Sequence, residues 1–148
     1  AYLIQCDEHM LQELARYHLD TMKIRERIAL AVRTRILAHD GNREAARKTV
    51  AFLSLPFYAA QGLKALYRTV DAMWYATGDT STDFSFYTRR LTLAGVYSST
   101  LLYWLDDTSA GYAHTWAFLD RRIADAMAIG KIKNELKRVA ETLGVRAG

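Results

Sequence analysis

The sequence predicts an all-α fold: one domain of about seven helices, two of them long. Three observations predict it. Of 148 residues, 51% are hydrophobic and 24% are charged, which is enough to build a packed core. The strongest helix breaker is nearly absent, with one Pro in the whole chain. Apolar side chains also recur at three- and four-residue spacing almost from end to end, instead of alternating as strands require.

The elements follow in order. Across residues 1–22, Leu3, Met10, Leu14 and Tyr17 form a stripe, with Ile4, Leu11, His18 and Met22 beside it. On that stripe His18 is expected inside, as a hydrogen-bonded core histidine. His9 and Glu13 stand at i,i+4 with no convincing further ligand, so they read as a surface pair and not a metal site. The next helix spans about Lys23 to His39 and buries Ile24, Ile28, Ala31, Val32, Ile36 and Leu37. Asp40-Gly41 is a turn, and Asn42 can cap a helix carrying Ala45, Ala46, Thr49, Val50 and Leu53. Ser54-Leu55-Pro56 ends it, because Pro lacks an amide donor and restricts the residue before it.

A long helix over about residues 57–76 aligns Leu63, Leu66, Tyr67, Val70, Met73 and Trp74, and Gly78 stops it. Ser81, Thr82 or Asp83 caps the next, which runs to about Leu105 and carries the small residues Gly95, Ser98 and Ser99. Asp106-Asp107-Thr108-Ser109 breaks it. A helix over 110–129 lines up Tyr112, Trp116, Leu119, Ile123 and Met127, and Gly130 stops that one. In the tail, 131–148, Ile132, Leu136, Val139 and Leu143 share one face among lysines, an amphipathic basic helix that either lies on a membrane or docks on the bundle.

Composition excludes several functions. Cys6 is the single cysteine, so no internal disulfide forms. No apolar run reaches the ~20 residues of a membrane span. The net charge of +4 is concentrated between Lys23 and Lys48, which reads as a solvated basic face. There is no glycine-rich phosphate loop, no Gly-x-Ser-x-Gly, no zinc-binding cysteine pair and no Glu-x-x-His. No nucleophile–base pair stands out, so an enzyme is not expected, and neither is a metal, a cofactor or nucleic acid. The chain begins at Ala, not Met, so a longer or processed parent is expected.

The stretch from Val70 to Leu105 carries the most information. It holds two of the three Trp, and the polar loop from Thr77 to Asp83 precedes Phe84, Phe86, Tyr87, Arg89 and Arg90. Aromatics beside paired arginines can bury an acyl chain and hold an anionic head group, or can anchor a protein partner. Three Trp, nine Tyr and five Phe are many for a small helical domain. Trp104 and Trp116 read as core. Bulky rings beside Gly95, Ser98 and Ser99 can leave a cavity between helices, and such cavities bind apolar molecules.

The words Asp71-Ala72-Met73-Trp74, Gly78-Asp79-Thr80-Ser81-Thr82-Asp83-Phe84, Tyr87-Thr88-Arg89-Arg90 and Leu93-Ala94-Gly95-Val96-Tyr97-Ser98-Ser99-Thr100, with Thr115-Trp116-Ala117-Phe118-Leu119-Asp120-Arg121-Arg122-Ile123, resemble the lipid-binding accessory protein family of ubiquinone biosynthesis, the ninth of the coenzyme Q set. The resemblance implies a fold like the C-terminal ligand-binding domain of TetR-type regulators, without that fold's helix-turn-helix region, and a homodimer built through the last two long helices. It implies a non-enzymatic protein that binds isoprenoid quinone precursors or phospholipid at a membrane surface and presents them to the pathway's di-iron hydroxylase. It also implies a place against the bacterial inner membrane on its cytoplasmic side, or on the matrix side of the mitochondrial inner membrane. By position, Arg90 would hold a lipid head group, with Met73, Trp74 and Tyr97 at the lipid site. Asp83, Phe84, Phe86 and Tyr87 would meet the hydroxylase. The ligand-binding domain of a TetR-type repressor is the alternative reading.

Overall fold

In a computed structural model, residues 2–77 and 86–144 are described, with the side chains of residues 86–89, 130, 133 and 134 left aside. The described residues form six α-helices and three short 3-10 turns, and no strand. The helices are α1 (Tyr2–Leu14), α2 (Ile24–Leu37), α3 (Arg43–Leu53), α4 (Ala59–Thr77), α5 (Phe86–Leu105) and α6 (Ala113–Thr142). The all-α expectation therefore holds.

Helix α4 packs between α1 and α5, α5 packs against α6, and α2 bridges α1, α4 and α6. Their facing stripes make one core. Met10 and Leu14 come from α1, Val32 and Ile36 from α2, Val70 and Met73 from α4, Leu93 and Trp104 from α5, and Leu119 and Ile123 from α6. Trp104 is fully buried, and the Arg43 guanidinium lies 4.9 Å from its ring centroid. Trp116 is half-buried at the edge of the core and donates its indole N–H to the Gly111 carbonyl at 2.8 Å.

Local signals explain most boundaries. Asn42 stands at the N-cap of α3 after Gly41, whose φ of 82° is left-handed. Pro56 opens the 3-10 turn Pro56–Tyr58 between α3 and α4. Asp107 lies in the break after α5 and caps the turn that follows. Its carboxylate accepts from the backbone N–H and hydroxyl of Ser109 and from those of Thr115 in the first turn of α6. These four bonds hold its carboxyl well below the usual carboxylate range despite the opposing effect of burial.

Two expectations need correction. Helix α1 ends at Leu14, so His18 lies beyond the stripe and is exposed, and Tyr17 is 51% exposed. The buried histidine is His39. Gly130 does not stop a helix either: α6 runs unbroken from Ala113 to Thr142. A single glycine costs about 1 kcal/mol in a helix interior, which neighbouring turns easily offset. A further difference concerns α4, where Leu63 is 61% exposed instead of packed into the core.

Candidate ligand-binding site

A cavity of about 450 Å³ lies among α3, α4 and α5. Its walls are apolar, supplied by Leu3, Val50, Leu53, Leu63, Leu66 and Leu101. Its inner end is polar and is formed by Arg35 and His39 from the α2 side, Thr69 from α4 and Tyr97 from α5. The width between α3 and α4 depends on Gly62. A Cβ there would stand 2.9 Å from the Leu53 carbonyl oxygen, so only glycine permits this approach.

The polar end is a closed network. Asp7 is 5% exposed and Arg35 is 1% exposed. Arg35 donates from Nε to Asp7 Oδ1 at 2.7 Å, Thr69 donates its hydroxyl to the same oxygen at 2.6 Å, and Arg68 donates to Oδ2 at 3.2 Å. Arg35 also donates to His39 Nε2 at 3.0 Å. A guanidinium cannot accept, so His39 carries its proton on Nδ1 and donates it to the Tyr2 hydroxyl oxygen at 2.7 Å. Burial, aided by the Arg35 charge, pushes the imidazole down to about 4, so it is neutral near pH 7. Burial likewise pushes the Tyr97 hydroxyl up to about 12 and keeps its proton in place. That hydroxyl makes no hydrogen bond to any described residue.

The inner end therefore presents hydroxyls and a neutral imidazole around an ion pair that already satisfies itself. Such a surface suits an uncharged oxygen function at the head of an apolar molecule. An anion would have to compete with Asp7 for Arg35, at the cost of stripping a buried carboxylate of its partner.

The residues expected at the site separate into two groups. Tyr97 lines the cavity. Met73 is fully buried in the core, and Trp74 is half-buried next to it. Arg90 lies beside Trp74, with its guanidinium carbon 5.9 Å from the ring centroid, and its Nε donates to Asp71. Met73, Trp74 and Arg90 thus gather where α4 ends and α5 begins, while Tyr97 sits two turns further along α5. Asp83 and Phe84 fall outside the described residues, as do the side chains of Phe86 and Tyr87.

The polar end was missed in the sequence, although a signal exists. Asp7 occupies the apolar phase of α1, in the series Leu3, Asp7, Met10, Leu14. Arg35 does the same in α2 and His39 continues that phase just past its end, in the series Ile28, Val32, Arg35, His39. Opposite charges on the buried faces of two helices mark an internal ion pair.

Residues 59–130, which hold Gly62, Thr69, Trp74, Arg90 and Tyr97, match the COQ9 family. Residues 59–130 are a COQ9-family segment. A mitochondrial ubiquinone biosynthesis protein COQ9 from Rattus norvegicus is 43% identical over 96 residues, which are 65% of this chain and 31% of that protein. Its counterpart COQ9-B from Xenopus laevis is 42% identical over 112 residues, 76% of this chain and 37% of that protein. The match thus spans about a third of the length of these COQ9 relatives. A crystal structure of a TetR transcriptional regulator from Nitrosomonas europaea superposes with a TM-score of 0.70 at 21% identity, covering 85% of this chain and 69% of that one. The COQ9-family segment therefore sits in a TetR-like helical fold.

Proposed function

We propose that this chain is a lipid-binding protein of ubiquinone biosynthesis that does not itself catalyse a reaction. It takes up an isoprenoid quinone intermediate or a phospholipid at a membrane and presents it to the di-iron hydroxylase of the pathway. The observation that carries this reading is the α3–α4–α5 cavity, apolar along its length and neutral but hydrogen-bonding at its inner end. Its volume is about three times the ~150 Å³ that accommodates a benzene, enough for a ring and the first units of a tail, with a longer tail leaving through the mouth. The names of the COQ9 relatives support the pathway. Dimerisation through α5 and α6 is part of the proposal. It is supported by the exposed Leu91 on α5, one turn from Gly95, which has open space around it.

The test is mass spectrometry of organic extracts from the purified protein. An isoprenoid quinone, its precursor or a phospholipid at near-stoichiometric yield is expected. A second reading, the ligand-binding domain of a TetR-type repressor, is favoured by the shared fold. It expects a water-soluble effector in the cavity instead, and native mass spectrometry separates the two. Recovery of neither lipid nor effector would sink both readings.

A further inference from the structure

The hairpin between α3 and α4 carries a set of outward-facing apolar residues. Phe57, at the tip in the turn Pro56–Tyr58, is 95% exposed. Phe52 and Leu55 are each 49% exposed beside it, and Leu63 in the first turns of α4 is 61% exposed. Single exposed apolar residues are ordinary, but several around one opening are not. Leu63 lines the cavity, and so does Leu102, which is 55% exposed across the mouth on α5. Phe52 lines an open groove that shares Leu3, Thr49 and Leu53 with the cavity, so the tip borders both ways in.

The tip is stiff. Phe52 stacks on Tyr58 with ring centroids 4.1 Å apart, and Gly62 fits tightly against Leu53. Its charge is one-sided. From Ala45 to Val70 the chain has Arg47, Lys48, Lys64 and Arg68 and no Asp or Glu. Arg47 is paired with Glu44 and Asp106, and Arg68 with Asp7. Lys48 and Lys64 form no ion pair among the described residues.

We propose that the α3–α4 tip is a membrane-docking surface that seats the cavity mouth on an anionic bilayer, with Phe57 and Leu55 entering the interface and Lys48 and Lys64 meeting lipid phosphates. Ordered aromatics lose little freedom on entering the interface, and the lysines reach the phosphates on flexible stems. The mouth then opens onto acyl chains, and an apolar ligand crosses without passing through water. The proposal rests on the lipid reading of the cavity, but docking is measured without reference to cargo.

The experiment is co-sedimentation of the chain with vesicles of phosphatidylcholine alone and of phosphatidylcholine mixed with phosphatidylglycerol. Preferential binding to the anionic vesicles, weakened by salt, is expected. Lys48→Gln and Lys64→Gln should each weaken it about fivefold, and Phe57→Ser severalfold. All three positions are exposed, and circular dichroism checks that each variant folds. Unchanged binding by these variants would overturn the proposal. So would loss of binding only with Leu136→Ser on the exposed face of α6, or failure to bind vesicles while Phe57→Ser changes the oligomer size. Vesicle binding in the expected pattern by a protein that yields no extracted lipid keeps the docking surface and removes the lipid reading of the cavity.

Discussion

Arg35 on α2 and Asp7 on α1 form a buried ion pair, with Nε 2.7 Å from Oδ1 and side chains 1% and 7% exposed. It ties two helices together at the inner end of the cavity. Removing one member leaves the other charged in the interior, which costs roughly 3–5 kcal/mol. We expect Asp7→Ala to lose about that much in urea denaturation. The apolar pair Asp7→Leu with Arg35→Met should be far less destabilised than Asp7→Ala. Equal losses would mean that the charges contribute nothing specific.

His39 should make stability fall with acid. Its folded pKa, about 4, lies below the ordinary histidine value of 6.5. Between those values the unfolded chain binds the extra proton, so stability rises with pH through this window. The contribution is complete above pH 6.5 and is lost progressively as pH falls toward 4, to a total of up to about 3 kcal/mol. Stability of the wild type and of His39→Gln, measured at intervals from pH 7 to pH 4, checks this. The slope should be shallower in the variant, and identical slopes would remove His39 as its source.

Gly62 fixes the spacing of α3 and α4. Gly62→Ala would set its Cβ 2.9 Å from the Leu53 backbone oxygen, an atom that cannot swing aside. The helices must part, with an expected loss of about 1–3 kcal/mol. Lipid retention should fall with it, because the same contact sets the cavity wall. Thermal melting and lipid extraction on one sample read both effects. An unchanged melting temperature would show that α3 moves freely.

Tyr97 and Arg90 can be separated as head-group contacts. Tyr97→Phe removes one hydroxyl at the polar end, and a severalfold loss of retained quinone precursor is expected with the fold intact by circular dichroism. Arg90→Glu sets a carboxylate beside Asp71, its present partner. If Arg90 holds a lipid phosphate, this variant should lose phospholipid in particular. Competition between the two lipid classes for each variant assigns the contacts, and equal retention by both variants would exclude both residues.

The bundle itself was legible in the residues. The stripes of Met10 and Leu14, Val32 and Ile36, and Val70 and Met73 are all core, because packing follows helical period closely. Boundaries held where local chemistry sets them, as at Pro56 and Asp107. They failed where the deciding contacts lie far away in sequence: nothing near His18 tells that α1 ends at Leu14, and Gly130 alone cannot say that its neighbours carry the helix through. Tyr97, which lines the cavity, stands in a motif that the sequence marks out. The polar end was overlooked because Asp7, Arg35 and Thr69 are spread over 62 residues and converge only when three helices pack.

The unbroken course of α6 has a mechanical consequence. At 1.5 Å per residue its 30 residues make a rod about 45 Å long. Leu119 and Ile123 anchor one end in the core, while Ile132, Leu136 and Val139 stand exposed toward the other. A rod with no joint cannot swivel between those ends. Whatever grips the far stripe thereby sets the compass bearing of the entire bundle.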